Sequence, residues 1–277
     1  PFLSEKFGLP LFINNDGDLF AFGEATAGML PEINARVAEL GSKKQYRNML
    51  GYTFGTGFGI GEVIDGKLNL GNNSCIETFC LPSPSDHGVM VEDSVAIRAV
   101  IREYNRLSGT NEPGLTPKDV CDIAEGTREG DREAAIESFR LFGRAAGDAM
   151  ATAVTLTDSL IVIGGGLTGA RKYIMPSLLE ALRGTISTIN GEQLQRVQMK
   201  VFDLDDELEF REFARGDARQ LKVYGSDKYV TYDPMKRTGV CISRLGASKA
   251  ISIGAYTYAL SRLDAEAAPS ASTAPEA

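Results

Sequence analysis

The stretch NMLGYTFGTGFGIGEVIDGKLNLG, residues 48–71, decides the fold of this chain, because its short apolar runs are separated by glycine turns. Residues typical of strands fill three segments, at about 49–54, 58–64 and 67–70. The turn Asp65-Gly66 between two alternating runs is a strong hairpin signal. The stretch therefore predicts a meander of three antiparallel strands.

Helices and strands alternate in the sequence that follows this meander. Helical patterns cover 92–107, 116–125, 130–157, 171–184 and 246–263. Strand patterns are LIVI and VQMKVFDL, at 160–163 and 197–204. The polar segment 204–240 is expected to be an irregular excursion. The order βββαβαβα predicts a mixed α/β domain with right-handed crossovers after the meander.

The N-terminal part contains a second informative stretch, NNDGD at residues 14–18, which follows an apolar run at 10–13 that predicts a strand. One interpretation is an ordinary turn, with Asp18 as the N-cap of a helix predicted at 20–40 and restarted at Pro31. The other is a set of amide and carboxylate groups at the carboxyl end of a strand, where ligands bind in open α/β sheets. Taken alone, the stretch favours the turn.

The composition excludes several classes of function. The chain has 29 Lys and Arg residues against 37 Asp and Glu residues, a net charge of −8, and no dense basic run. A nucleic-acid partner is therefore not expected through this chain. No stretch approaches about 18 consecutive apolar residues, and no basic region followed by an apolar run starts the sequence. We expect no membrane span and a cytoplasmic location.

The cysteines give no sign of a disulfide framework in a chain of 277 residues. They are Cys75, Cys80, Cys121 and Cys241, and His87 is the one histidine. A structural zinc site usually shows four ligands in two tight pairs, which this spacing lacks. We expect small buried thiols and no metal ligands among these residues.

Two glycine turns are candidates for phosphate binding. Gly55, Thr56 and Gly57 form the first, and Gly164, Gly165 and Gly166 the second. Backbone without a Cβ atom can approach a ligand closely, and successive N–H groups can form an anion-binding nest. A tight turn that merely needs a positive φ is the alternative. Neither turn matches the dinucleotide-binding or P-loop pattern.

Four stretches carry a family resemblance: NNDGDLFAFGE, GYTFGTGFGIGEVIDGKLNLGN, IVIGGGLTGA and SRLGASKAISIGAYTYAL. In this order and spacing they resemble the ROK family of sugar kinases and sugar-responsive repressors. The resemblance covers most of 10–203 and 243–262. It implies the actin-like, ribonuclease-H-like ATPase fold, with two βββαβαβα domains around a cleft. It also implies phosphorylation of a hexose hydroxyl by ATP with Mg²⁺.

The resemblance assigns roles to individual residues. Asp16 matches the general base that takes the proton from the sugar hydroxyl, and Asn15 matches a sugar ligand. Glu77 and, more loosely, Glu92 match sugar-binding glutamates. The first glycine turn matches the loop that contacts the ATP phosphates, and the second matches the turn beside adenosine.

Three departures from the family pattern qualify these expectations. A histidine and a cysteine cluster that bind structural zinc are replaced here by TFCLPSPSDHGVMVED, so zinc is not expected. Asp18 stands where asparagine is usual. The opening half-domain, with its phosphate loop, does not precede Pro1, so we expect a homodimer or pairing with a missing N-terminal half.

The predicted organisation has three parts. Residues 1–40 would end the first actin-like domain and cross over, 41–264 would form the second, and 265–277 would be a disordered tail. Two alternatives to a kinase remain open at this stage. One is a sugar-sensing transcriptional regulator on the same fold, without catalysis, and the other is an unrelated α/β binding module.

Overall fold

A computed structural model describes residues 2–267 of the chain. Its helices are α1 (Phe2–Phe7), α2 (Asp16–Ala27), α3 (Met29–Glu39), α4 (Ile97–Ser108), α5 (Pro117–Glu125), α6 (Arg132–Thr157), α7 (Arg171–Arg183), α8 (Glu207–Arg215) and α9 (Ala247–Ala267). Short 3-10 helices span Val91–Ser94 and Gly166–Ala170. Its strands are β1 (Met49–Phe54), β2 (Phe58–Ile64), β3 (Lys67–Asn69), β4 (Leu160–Gly164), β5 (Thr185–Ser187), β6 (Gln193–Gln195), β7 (Lys200–Asp203), β8 (Arg219–Lys222), β9 (Tyr229–Tyr232) and β10 (Arg237–Ile242).

The central sheet has six strands in the order β3-β2-β1-β4-β10-β7. The pairs β1–β2 and β2–β3 are antiparallel, which confirms the predicted meander. Asp65 and Gly66 turn the second hairpin with φ values of 51° and 75°, as a two-residue hairpin turn requires. The pairs β1–β4, β4–β10 and β10–β7 are parallel. Carboxyl ends of four strands therefore meet at one edge of the sheet.

Helices cover both faces of this sheet, and strand β1 shows how the sequence divides its side chains between them. Leu50, Tyr52 and Phe54 belong to the core beneath α4, α6 and α7. Met49 packs instead with Phe20 in the core beneath α2, α3 and α8. Side chains of a strand alternate between its faces, so the apolar residues of β1 serve two cores.

Helix α2 lies directly on the sheet and on α9 because glycines remove the intervening side chains. A Cβ atom on Gly51 of β1 would lie 2.7 Å from the Cα atom of Ala21. A Cβ atom on Gly254 of α9 would lie 1.8 Å from the carbonyl oxygen of Leu19. Real Cβ atoms never approach so closely, so the two helices cross backbone against backbone.

One N-terminal prediction is wrong and another is confirmed only in part. Residues 8–15 form neither strand nor helix, and Ile13 is 82% exposed, because no strand of the described chain lies beside them. The predicted interruption of the helix at 20–40 is confirmed, and Pro31 lies in the first turn of α3, but the break itself falls at Gly28 rather than at Pro31. There the carboxylate of Glu24 accepts from the Met29 N–H at 2.8 Å, in space that a Cβ atom on Gly28 would fill.

The prediction of an irregular excursion at 204–240 is also wrong. The segment contains α8, the β8–β9 hairpin and most of β10, which lies inside the sheet between β4 and β7. Helix α8 forms because Phe210, Phe213 and Ala214 recur at helical spacing and are buried together. Strand β10 is almost fully buried, and that burial compensates for its weak sequence pattern.

Three predicted boundaries differ from the structure. The helix predicted from residue 92 begins at Ile97, after the 3-10 helix, and the strand predicted at 197–204 is shorter, since β7 starts at Lys200. Residues 265–267 of the predicted tail are the last residues of α9, and the rest of that prediction lies outside the described residues. Within residues 2–267 no helix is both long and apolar enough to cross a bilayer.

Candidate functional site

A cleft of about 360 Å³ opens at the carboxyl ends of β1 and β4. The start of α2, the β1–β2 turn, the first 3-10 helix and α9 enclose it. Most of the predicted site residues line it, namely Asn15, Asp16, Gly55, Thr56, Gly57, Glu77, Glu92 and Gly165. Residues far apart in the sequence therefore converge on one cleft.

Asp16 is presented by the first turn of α2. Asn15 caps this helix, since its Oδ1 accepts from the Gly17 N–H at 2.7 Å, so the alternative of Asp18 as the N-cap is wrong. Asp16 follows the cap directly and its side chain is exposed at the cleft. The cap bond occupies the Asn15 Oδ1 atom and leaves its Nδ2 group able to donate to a ligand.

The first glycine turn is fixed by a carboxylate and an arginine. Glu92 Oε2 accepts from the Phe58 N–H at 3.1 Å, and Glu92 Oε1 is paired with Arg98 Nη2 at 3.1 Å. Arg98 also donates to the carbonyl oxygen of Thr56 at 3.3 Å. Sequence analysis missed Arg98, whose position on α4 gave no sign that it reaches this turn.

The backbone N–H groups of the first glycine turn differ in their hydrogen bonding. Gly55 N–H donates to the carbonyl oxygen of Gly57 at 3.2 Å, which closes the turn. Hydrogen bonds within the described chain include none from the N–H groups of Thr56 and Gly57. Free neighbouring amides at a cleft are suited to an anionic ligand.

Of the three glycines in the second turn, only Gly165 lines the cleft. Gly165 has φ +101°, and a Cβ atom there would lie 2.2 Å from the carbonyl oxygen of Phe54. Only glycine lets this turn pack against the end of β1. Gly164 is buried at the end of β4 against Phe20, and Gly166 opens the second 3-10 helix in free space. Neither of these two glycines lines the cleft itself.

Negative charge is concentrated on one side of the cleft. The pKa of Glu77 is raised, first by burial and then by the carboxylates of Asp18, Glu92 and Asp16. Burial also raises the pKa of Asp18 to about 6. Sequence analysis treated Asp18 as a possible helix cap and as a departure from the asparagine usual in the family, and did not predict its burial. The signal it missed is the neighbouring pair Gly17 and Ala21, whose small size brings this turn of α2 onto the sheet.

The described residues offer no preformed metal cage. Among residues 2–267, no three His, Cys, Asp or Glu side chains are grouped so that they could hold a metal ion. Cys241 is buried as expected, but the expectation of buried thiols is wrong for Cys75 and Cys80. Both lie in the open loop after β3, which provides no core around them.

Comparison with known proteins agrees with this geometry. The ROK family model matches residues 2–203, and the chain belongs to the ROK family. A solved glucokinase from Parabacteroides distasonis is 50% identical, with a TM-score of 0.86, over 94% of this chain and 71% of that one. The fold is the actin-like, ribonuclease-H-like ATPase fold.

Two further proteins are similar to this chain. The glucokinase of Streptomyces coelicolor is 26% identical over 206 residues, 64% of this chain and 58% of that protein. A ROK family glucokinase from Streptomyces griseus, solved with glucose and AMPPNP, is similar in fold. Its TM-score is 0.56 at 19% identity, over 92% of this chain and 70% of that one. The chain spans about three fifths of the length of the curated relatives it matches.

Proposed function

We propose that the protein transfers the terminal phosphoryl group of ATP to a hydroxyl of a hexose or hexose derivative. The observation that carries this proposal is the meeting of Asp16 with the glycine turn Gly55–Gly57 in one cleft. A carboxylate at the mouth of the cleft provides a base, and free backbone amides provide a phosphate site. The likeness to glucokinases supports sugar as the acceptor.

Asp16 acts as the general base in this proposal. It takes the proton of the attacking hydroxyl while the hydroxyl oxygen forms a bond to the terminal phosphorus. The bond from that phosphorus to the bridging oxygen breaks, and ADP leaves with its electron pair. Such a base contributes roughly 10²- to 10⁴-fold to the rate. Positioning and charge neutralisation supply most of the rest.

Sugar binding is assigned to the amide of Asn15 and the carboxylate of Glu77. The free Nδ2 group of Asn15 donates to one hydroxyl, and Glu77 accepts from another. Glu92 is kept as a looser sugar ligand, although both of its oxygens already have protein partners, Phe58 and Arg98. Its contacts give it a second role, which is to hold the glycine turn in place.

The first glycine turn suits the phosphates because it lines the cleft and the N–H groups of Thr56 and Gly57 have no hydrogen-bond partner within the described chain. We assign the phosphates to Gly55, Thr56 and Gly57, and adenosine to the turn Gly164–Gly166. Mg²⁺ would neutralise charge on the phosphates. Since the described residues form no cage for it, we derive no step through this ion.

A sugar-sensing regulator is the less favoured alternative. A sensor needs a sugar pocket but has no chemical need for a base beside a phosphate site. The position of Asp16 in the same cleft as the amides of Thr56 and Gly57 is therefore the observation that favours a kinase over a sensor.

Asp16→Asn in the intact protein tests the proposal. A coupled ADP-release assay over a panel of hexoses is expected to show a kcat about 10²- to 10⁴-fold lower. ATP affinity by isothermal titration should be unchanged, since the phosphate site is intact. Asp86→Asn is the matched control, because that carboxylate lies on an exposed loop outside the cleft. Near-normal turnover of Asp16→Asn would overturn the assignment.

A further inference from the structure

A second cavity, of about 390 Å³, lies between α4 and α6 and shares no residue with the cleft. Phe142 in its wall contacts Phe54 of the cleft edge-on, with ring centroids 5.0 Å apart. Ser94 lines the cavity from the same 3-10 helix that carries Glu92 to the cleft. The cavity is therefore a separate site behind the cleft wall, and its volume lies in the range of small-molecule sites.

One face of each helix forms the walls of this cavity. Helix α4 contributes Ala99, Arg102, Glu103 and Arg106, which recur at i, i+3, i+4 and i+7. Helix α6 contributes Ser138, Phe142, Arg144 and Ala145. The alanines and Phe142 make an apolar floor, and the arginines stand around it.

The arginines of the cavity have unused hydrogen-bond donors. Glu103 Oε1 accepts from Arg102 Nε at 3.1 Å, and Glu103 Oε2 accepts from Arg106 Nε at 2.7 Å. Hydrogen bonds within residues 2–267 include none from the terminal Nη groups of these two arginines. Glu103 thus fixes both guanidinium groups through one edge and leaves the other edge free.

The rim of the cavity is positive in a chain that is negative as a whole. Arg102, Arg106 and Arg144 line the cavity with one carboxylate, Glu103. Glu137, which is paired with Arg140, lies near Arg106 outside the lining, and Arg144 forms no ion pair among the described residues. Three guanidinium groups from two helices therefore surround the opening. The chain carries a net charge of −8, so this excess of positive charge is local.

We propose that this cavity binds a small phosphorylated molecule, such as a sugar phosphate. The paired N–H donors of an arginine guanidinium group match the spacing of phosphate oxygens. Three guanidinium groups from two helices suit a tetrahedral phosphate better than a planar carboxylate, because a carboxylate accepts hydrogen bonds from fewer directions. Hydroxyl groups of Ser85 and Ser94 line the same cavity, each 3.0 Å from the hydroxyl oxygen of Ser83. Ser83 can donate to only one of them, so at most one keeps its own proton for a ligand. The apolar floor packs against the body of the ligand.

Isothermal titration of the intact protein with inorganic phosphate and with glucose 6-phosphate tests this binding without turnover. In Arg102→Ala/Arg106→Ala the dissociation constant is expected to rise at least about tenfold, because charge-assisted hydrogen bonds are lost. Arg144→Ala removes the third fork from the other helix and is expected to weaken binding as well. Arg140→Ala is the matched control, because Arg140 lies on α6 outside the cavity and is paired with Glu137.

The outcomes separate the possibilities. Tighter binding of glucose 6-phosphate than of phosphate identifies a sugar phosphate as the ligand, and equal binding identifies free phosphate. Unchanged affinity in the double variant would overturn the proposal, as would absent binding in the parent protein or an equal loss in Arg140→Ala. Melting curves of each variant show whether it is folded. Failure of the kinase assay would leave this result standing, since binding here requires no catalysis.

Discussion

The carboxylate of Glu92 accepts a hydrogen bond from the backbone N–H of Phe58 at 3.1 Å, and this bond joins the first 3-10 helix to the glycine turn of the cleft. Phe58 is 1% exposed, so its N–H has no access to water as an alternative partner. The geometry of the proposed phosphate site therefore depends on a side chain 34 residues away in the sequence.

Glu92→Ala is expected to lower the free energy of unfolding by about 1–3 kcal/mol, because a buried N–H loses its acceptor. Glu92→Gln keeps an acceptor oxygen and should cost less. Chemical denaturation measures both. Asp93→Ala is the control, since Asp93 is the other carboxylate partner of Arg98 and its ion pair is exposed. Removing it should cost less than about 1 kcal/mol. Equal losses in Glu92→Ala and Asp93→Ala would contradict the structural role of the Phe58 bond.

Glu77→Gln is expected to raise KM for the hexose about 10- to 100-fold, because the charged acceptor of a sugar hydroxyl is lost. KM for ATP should stay the same. Steady-state kinetics with each substrate varied in turn separates the two constants, and Asp86→Asn provides a loop carboxylate outside the cleft for comparison. A parallel rise in both KM values would show that Glu77 supports the cleft as a whole rather than the sugar.

The raised pKa of Glu77 gives this prediction a pH dependence. The carboxylate accepts from a sugar hydroxyl best when it is ionised. The hexose KM of the parent protein should therefore increase as the pH falls through that raised pKa. In Glu77→Gln this increase should disappear.

Gly165→Ala is expected to lower the free energy of unfolding by about 3 kcal/mol or more, since the new methyl group would collide with Phe54 at a positive φ. Gly166→Ala is the matched control one residue along, where a Cβ atom meets nothing within 4 Å. Its effect should stay within about 1 kcal/mol. Urea unfolding of the pair measures the difference, and equal stabilities would contradict the close contact between Gly165 and Phe54 at the end of β1.

Asp18→Asn is expected to stabilise the protein at pH 7 by an amount on the order of 2 kcal/mol. Burial raises the pKa of Asp18 from 3.8 to about 6, so the folded state disfavours the charged form. The contribution of the protonated carboxyl is fully present below pH 3.8 and is lost as the pH rises through about 6. The advantage of the variant should therefore shrink to nothing near pH 4. Unfolding curves across this range measure it, and a constant difference would argue against a buried titrating carboxyl.

The sequence predicts the meander and the long helices well because their signals are local. Asp65-Gly66 fixes the register of its hairpin, and Thr116 with Pro117 marks the start of α5, where the structure shows a capping box. The location of the cleft can be predicted for the same reason, because glycine turns at the ends of strands are recognisable in the sequence. The positions of Arg98 and Asp18 at the cleft could not be predicted in this way, because both depend on packing between elements that are distant in the sequence.

Strands are predicted poorly where pairing rather than pattern decides them. The run PLFI, residues 10–13, has the composition of a strand but lies beside no other strand of the described chain. Strand β10 has a weak pattern, yet it pairs on both sides within the sheet. A strand needs partners for its backbone hydrogen bonds, and a single sequence shows only the side chains.

Strand β10 also sets a limit on how this protein can be divided or synthesised. Among the described residues it is the last strand in the sequence, and it lies between β4 and β7, which both precede it. Each of those two strands therefore keeps an unpaired edge until β10 is present. Shorter products, including one that stops where the family model stops at residue 203, keep those edges open to other chains. Such fragments are expected to aggregate during expression. Cleavage in the β8–β9 hairpin, by contrast, leaves all six strands of the central sheet paired.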